Sequence, residues 1–351
     1  MNDLNQRKLS IIEIVKSLGG ASFGVIFDTL LSETSERTVK RDLSELVESN
    51  FLQVSGGGRA TIYTITESGR IFLPIDVDAY NAVDIDSRVG VCQRYVISVW
   101  EQWPGTLFTE SEIASLTKDT TQYRLRSQHQ TSDVHKRELE RFVIEMSWKS
   151  SQIEGNTYTL LDTELLLKDG IASSTNTKEE TQMILNHKEA FQFVIEHVDI
   201  FTKGLTFSLV EQVHTILMKD LIEEKGLRRS VVGITGSRYQ PLDNQFQLRE
   251  ALEKLLQTIN GSQDVWTQAL TALIGMSYVQ PFVDGNKRTA RLIANGLLLS
   301  KNCSPLSYRD VNERTYRSSL LVFYEQLSVV PMKQLFIDQY NFSAEHYTSL
   351  Q

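Results

Sequence analysis

From residue 134 onward, apolar residues return at helical spacing through a succession of segments separated by short breaks, and this recurrence limits the fold more than any other feature. The spacing predicts helices over residues 134–148, 160–168, 177–197, 208–222, 248–260, 265–278 and 286–300, with a last one ahead of Pro331. A chain of this kind is mainly α. One interval departs from the pattern: residues 231–241 are apolar and Gly-rich, and suit a short β-hairpin that includes Ile234, Thr235 and Gly236.

Residues 7–72 read differently, as three helices and a hairpin. Leu9, Ile11, Ile12 and Val15 make one apolar face, Val25, Ile26 and Leu30 a second, and Val39, Leu43 and Leu46 a third. Ser35 stands where it caps the third helix. Residues 51–54 and 61–65 are predicted as strands joined by a Gly-rich turn over 55–59. This order resembles a winged helix-turn-helix, and residues 35–43 are similar to the recognition helix of many bacterial transcription regulators. The resemblance implies that Arg37, Thr38, Lys40, Arg41 and Ser44 face a DNA major groove and that Arg59 meets backbone or minor groove. The competing reading is a solvated helix face, diluted by Glu36, Glu45 and Glu48, or a protein-docking module. Residues 73–78 read as a linker, and the apolar stretch 95–100 as a helix too short for periodicity to separate from a strand. The boundaries drawn are 1–75 for the small α/β domain, 76–133 for a linker and intermediate helical segment and 134–343 for the helical domain.

Composition narrows the setting. With 41% hydrophobic and 23% charged residues, the 351-residue chain reads as globular, with room for two or three domains. No apolar run approaches the roughly 20 residues of a membrane span, and the polar N-terminus lacks a signal peptide's apolar core, so a cytoplasmic, membrane-free protein is expected. Cys92 and Cys303 lie far apart, which argues against a disulfide framework, and the six histidines show no metal-ligand spacing. A net charge of −8 disfavours indiscriminate nucleic-acid binding while leaving room for a local DNA-reading surface.

Residues 280–291 carry the chemistry. They join a carboxylate, a Gly-Asn turn and two spaced arginines to a helix start. Backbone N–H groups at a helix N-terminus attract anions, Asp284 can hold a divalent cation, and Arg288 with Arg291 offers forked donors to phosphate oxygens. This is chemistry for a Mg2+-bound phosphate. The segment resembles the Fic signature, H-x-F-x-D/E-G-N-G/K-R-x-x-R, with Gln280 standing at the position of the family's catalytic histidine.

The resemblance implies a Fic helical bundle whose hairpin is a flap for target side chains, and transfer of AMP from ATP to a hydroxyl of a target protein or of the chain itself. By the same resemblance Asp284 coordinates Mg2+, Asn286 and the Gly285 backbone contact phosphates, and Arg288 and Arg291 stabilise their charge. Phe282 anchors the loop in the core. Lys287 falls where many members have glycine, and members with lysine there include a branch that transfers phosphate. Upstream, residues 150–156 look like the family's inhibitory motif S/T-x-x-x-E-G/N, with Ser150 and Glu154 in its fixed positions and Arg291 as the partner of Glu154. The alternative is an ordinary helix end capped by Gly155, with Glu154 in water. Family members often regulate themselves as dimers.

A glutamine amide cannot take a proton near neutral pH. Gln280 therefore leaves three accounts: a nucleotide-sensing pseudoenzyme, a weak enzyme, or an introduced substitution. The leading expectation is an ATP- and Mg2+-binding transferase scaffold whose activity is absent or strongly reduced. The alternatives are a DNA-binding regulator that senses nucleotide, and an interaction protein that docks partners along the hairpin.

Overall fold

The computed structural model describes residues 4–30, 34–128 and 130–348. The chain divides into two compact units, one made of the residues up to Pro104 with Ile234–Tyr239 and Leu321–Pro331, the other of Gly105–Gly233, Gln240–Leu320 and the residues from Met332 on.

In the first unit the predicted apolar faces make one core. Ile11, Ile12 and Val15 from helix Gln6–Ser17 meet Val39, Leu43 and Leu46 from helix Glu36–Glu48. Ser35 caps the latter helix by accepting from Thr38 N. Helix Phe23–Leu30 buries Ile26 and packs Phe23, Phe27 and Leu30 against the same core, while Val25, expected inside, is 44% exposed. The strands are Leu52–Ser55 and Ile62–Ile65, antiparallel with Val54 opposite Tyr63. A two-residue strand, Ala21–Ser22, pairs with the far edge of Ile62–Ile65. Beyond the sheet, the 95–100 stretch yields only the short helix Ser98–Glu101.

The second unit is mainly helical, with its helices joined by loops, the longest between Leu217 and Gln245. Thr131, Thr159, Thr177, Thr206, Asn244 and Asp264 each cap a helix by accepting from the backbone N–H two or three residues on, so each start is set by local chemistry. Helices Val265–Val279 and Asn286–Ser300 are buried over nearly their whole length. A helix buried all round belongs at the centre, and Ser132–Ile153, Lys178–Glu196, Phe207–Leu217 and Gln245–Gly261 pack around this pair. Three helices go beyond the sequence reading, Glu110–Ser127, Val198–Thr202 and Val330–His346, the last of which holds in its first turn the proline expected to follow the last helix.

The hairpin expected over residues 231–241 does not form. The segment makes a turn at Thr235 and Gly236, where Ser237 N donates to Ile234 O, and no strand ladder flanks it. Among the described residues no helix is long and apolar enough to cross a membrane.

Candidate nucleotide site

The loop between the two central helices begins under constraint. Gln280 closes helix Val265–Val279 with φ 51°, a left-handed conformation that costs a non-glycine residue energy and persists only where its surroundings impose it. They do so here. Buried Arg228 donates from Nε to Gln280 O at 2.7 Å and from its other nitrogens to the carbonyls of Ser230 and Leu242. The Gln280 amide is equally engaged, donating to Ser277 O at 2.7 Å and accepting from Asn286 Nδ2 at 2.9 Å.

Asn286 is the brace of the loop. Its Oδ1 accepts from Phe282 N at 2.9 Å and its Nδ2 donates to Phe282 O at 2.8 Å, in addition to Gln280. The side chain expected to contact phosphate is therefore 4% exposed and committed to the loop. Phe282 is fully buried, stacked on the His214 ring with centroids 3.7 Å apart, as its reading as an anchor requires. His214 Nε2 lies 2.9 Å from Asp284 O, and because a carbonyl only accepts, the proton is on Nε2. Gly285 precedes the next helix at φ 77°, and a Cβ there would lie 2.5 Å from Met218 Sδ. Both conformation and space demand glycine. Its N–H, expected at phosphate, donates instead to Asp284 Oδ1 at 2.6 Å.

Three cations gather at the start of helix Asn286–Ser300, and they are satisfied unequally. Arg291 is fully buried. It donates from Nε to Ser150 Oγ at 2.8 Å, from Nη2 to Ser150 O at 2.9 Å, and from Nη2 to Glu154 Oε1 at 2.9 Å, with its guanidinium 5.5 Å from the centre of the Tyr316 ring. Burial works against this charge, but Glu154 outweighs it and holds Arg291 above its ordinary pKa. Arg288 is 2% exposed and has only Asp284 Oδ2, at 3.3 Å, as a charged partner, with Met218 Sδ at 3.2 Å. Its Nη1, like that of Arg291, has no hydrogen-bond partner among the described residues, and burial pulls the pKa of Arg288 below the ordinary value. Lys287 reaches Glu154 Oε2 at 2.9 Å.

Glu154 thus bridges two cations. It terminates helix Ser132–Ile153, and Gly155 follows at φ 100°, a conformation that suits a helix end. The carboxylate is not in water: it is 16% exposed. Burial alone would raise its pKa, but Arg291 and Lys287 prevail and bring it down to about 2. Asp284, by contrast, is 65% exposed.

The structure therefore brings Ser150, Glu154, Lys287 and Arg291 together, with Arg288 and Asp284 paired alongside. Ile234, Thr235 and Gly236 lie in the first unit, where Gly236 O accepts from Arg88 Nη1 at 3.1 Å. Arg37, Lys40 and Arg41 are exposed on helix Glu36–Glu48 and Thr38 is half-buried, but Lys40 pairs with Glu36 at 3.0 Å and Arg41 with Glu45 at 3.6 Å. Arg59 lies in the short 3-10 turn Gly58–Ala60, with its side chain outside the described set. Sequence reasoning passed over His214, Arg228 and Met218, which come from other elements and carry no local spacing signal.

Comparison with known proteins bears on the same region. The Fic/DOC family model matches residues 204–298. The protein adenylyltransferase Fic of Drosophila willistoni is 26% identical over 214 residues, 56% of this chain and 40% of the relative. That of Nematostella vectensis is 26% identical over 198 residues, 52% of this chain and 43% of the relative. The chain thus spans less than half the length of these curated relatives. Among solved structures, Fic-1 (residues 134–508) from C. elegans is similar with a TM-score of 0.59 at 20% identity, over 68% of this chain and 71% of that one. A Fic-domain-containing signaling protein from Bacteroides thetaiotaomicron VPI-5482 is similar with a TM-score of 0.56 at 19% identity, over 67% of this chain and 94% of that one. The mainly helical fold is shared with both.

Proposed function

We propose, for a chain that carries a Fic/DOC domain over residues 204–298, a nucleotide-binding scaffold of the protein adenylyltransferase type, latched by Glu154 and deprived of its general base at Gln280. The observation that carries this reading is the Glu154–Arg291 ion pair at the start of helix Asn286–Ser300, beside a second buried arginine, with an orphaned Nη1 on each. A buried guanidinium left partly unpaired is costly, and a phosphate oxygen is the acceptor that relieves it. The first-turn N–H groups of the helix lack intrahelical acceptors and add to the attraction.

A divalent cation fits the residues in a restricted way. No group of three or more His, Cys, Asp or Glu side chains gathers to hold a metal among the described residues, but Asp284 offers one exposed carboxylate. Mg2+ is commonly held by one carboxylate together with substrate phosphates and water, and it would supply charge neutralisation along the phosphates. The chain's own residues do the rest. Arg288 binds phosphate through Nη1, Arg291 is withheld by Glu154, and Gln280 orients a neighbouring hydroxyl at most, since its amide has no basic site. Losing a general base costs about 10² to 10⁴ in rate, so transfer of AMP to a protein hydroxyl is absent or slow.

Incubation with ATP labelled at the α-phosphate, alone and in lysate, tests this on the chain as it stands, on Glu154→Gly, and on Glu154→Gly with Gln280→His. Label on protein is expected only with the histidine. Label on Glu154→Gly with Gln280 retained, at a rate less than about 10²-fold below the histidine variant, overturns the account of Gln280, and no label on any version overturns the transferase reading.

A second reading is a winged-helix DNA-binding regulator whose domain senses nucleotide. It is favoured by the exposed Arg37, Lys40 and Arg41 on a helix packed against a small antiparallel sheet, and countered by the acidic partners of two of them. Absence of DNA binding at low salt removes it.

A further inference from the structure

We propose that Lys287 acts twice at this site, as the second anchor of the Glu154 latch and, once that carboxylate withdraws, as a phosphate-binding cation. The proposal rests on the nucleotide reading above. The two oxygens of Glu154 go to different cations, Oε1 to Arg291 and Oε2 to Lys287, each at 2.9 Å. The two cations differ in what holds them otherwise. Arg291 keeps two donors on Ser150 and is fully buried, so it stays in place when Glu154 leaves. Lys287 is 30% exposed, and its ammonium has Glu154 as its one hydrogen-bond partner among the described residues.

Withdrawal of Glu154 therefore strands an ammonium with three donors in the first turn of helix Asn286–Ser300, the turn that also carries Arg288 with its unpartnered Nη1. A polyphosphate supplies acceptors for both, at the end of the helix where negative charge is favoured. The closed latch and the bound polyphosphate then compete for Lys287 as well as for Arg291. A latch with one anchor is released when its arginine is drawn away. A latch with two holds the carboxylate by both oxygens, and its second anchor is the more accessible one.

This dual role has an unusual signature, because removing Lys287 has opposite effects in the two states. With the latch intact, Lys287→Met loosens Glu154 and raises affinity for polyphosphate. In a Glu154→Gln background the same substitution removes a phosphate ligand and lowers affinity. The methionine keeps the length of the side chain, and the position is part-exposed, so folding is preserved. Dissociation constants for Mg2+-ATP and for inorganic triphosphate are measured by calorimetry on the full chain, Lys287→Met, Glu154→Gln and the double variant. Allosteric couplings of ordinary size predict changes of about fivefold or more in each direction. Reversal of sign between the backgrounds, with triphosphate behaving as ATP does, supports the proposal. Weakening in both backgrounds leaves Lys287 a phosphate ligand only and overturns its role as an anchor. Tightening in both, or no change in either, overturns the phosphate role. If Glu154→Gln binds neither ligand, the nucleotide reading itself falls and the proposal falls with it, which separates the two failures.

Discussion

His187 and His214 stand close to the two arginines, buried and neutral, and their cost is paid by the rest of the fold. Burial first, then the charges of Arg291 and Arg288, takes His187 down to about 3, and neither of its ring nitrogens finds a partner among the described residues. Burial takes His214 down to about 4 despite its hydrogen bond to Asp284 O. A histidine depressed on folding binds its proton more readily in the unfolded chain, so stability falls as pH drops below the ordinary value of 6.5. At pH 5 each of the two costs about 2 kcal/mol, and urea midpoints at pH 7 and pH 5 should differ accordingly. His187→Gln should remove about half of that difference, and a pH-independent midpoint would refute the assignment. Glu154 adds nothing in this window. Its pKa is lowered from 4.5 to about 2, so its contribution is present above pH 4.5 and is lost as pH falls through about 2. Gly285 makes a second residue-scale case, since Gly285→Ala meets both left-handed strain and Met218 Sδ at 2.5 Å. It should destabilise by about 2 kcal/mol or more in equilibrium unfolding, and Met218→Ala in the same chain should restore only the packing share.

The element that delivers Glu154 is helix Ser132–Ile153, and its end is held by a residue far along the chain. Arg317 donates from Nε to Ile153 O at 2.8 Å and from Nη2 to the same oxygen, satisfying a carbonyl that the helix itself leaves open. Arg317→Ala should cost about 1–3 kcal/mol and speed deuterium exchange over residues 150–154 ahead of the rest of the helix. Unchanged exchange there would show that the ion pair alone fixes the turn. Ser150, Glu154 and the start of helix Asn286–Ser300 were legible in the sequence because each sits in a short local pattern. The bond between Lys287 and Glu154 was not, because it joins residues 133 apart through two side chains that each have an unremarkable role alone. The helices of the second unit were legible where their apolar stripes are broad. Glu110–Ser127 was missed because its buried positions are Leu116, Thr120 and Tyr123, a narrow stripe with a polar member, although the Thr109 and Glu112 capping box marked its start. Val330–His346 escapes a sequence reading because Pro331 reads as a stop, whereas a first turn tolerates proline. The 231–241 segment misled in the opposite direction. Alternating apolar residues and glycines suit a hairpin, but among the described residues no strand pairs with the segment.

At the scale of the whole molecule the first compact unit is discontinuous in sequence, and one buried carboxylate gathers its parts. Glu325, with a fully buried side chain, accepts from Tyr80 Oη at 2.6 Å, Arg88 Nη1 at 3.0 Å, Ser237 Oγ at 2.7 Å and Arg238 N at 2.8 Å. Three stretches of chain as far as 245 residues apart meet on its two oxygens. Burial pushes this carboxyl up, but the hydrogen bonds from Tyr80, Ser237, Arg238 and Arg88 bring it below the ordinary value of 4.5. Its stabilisation is therefore present above the ordinary carboxylate range and lost in acid. Removing one partner of a buried, hydrogen-bonded ion pair strands the other, here Arg88 at 4% exposure, and costs about 3–5 kcal/mol. Glu325→Ala should reach that range in denaturant unfolding, while Glu325→Gln, which keeps an acceptor oxygen but loses the charge, should cost less. The distinguishing measurement is local. If Glu325 is what tethers residues 234–239 within this unit, their amides should exchange faster in Glu325→Ala under native conditions, with Glu325→Gln between it and the parent. If exchange over 234–239 is unaltered while global stability falls, the carboxylate stabilises the unit without holding that loop, and the tether must lie in the bond between Gly236 O and Arg88 instead.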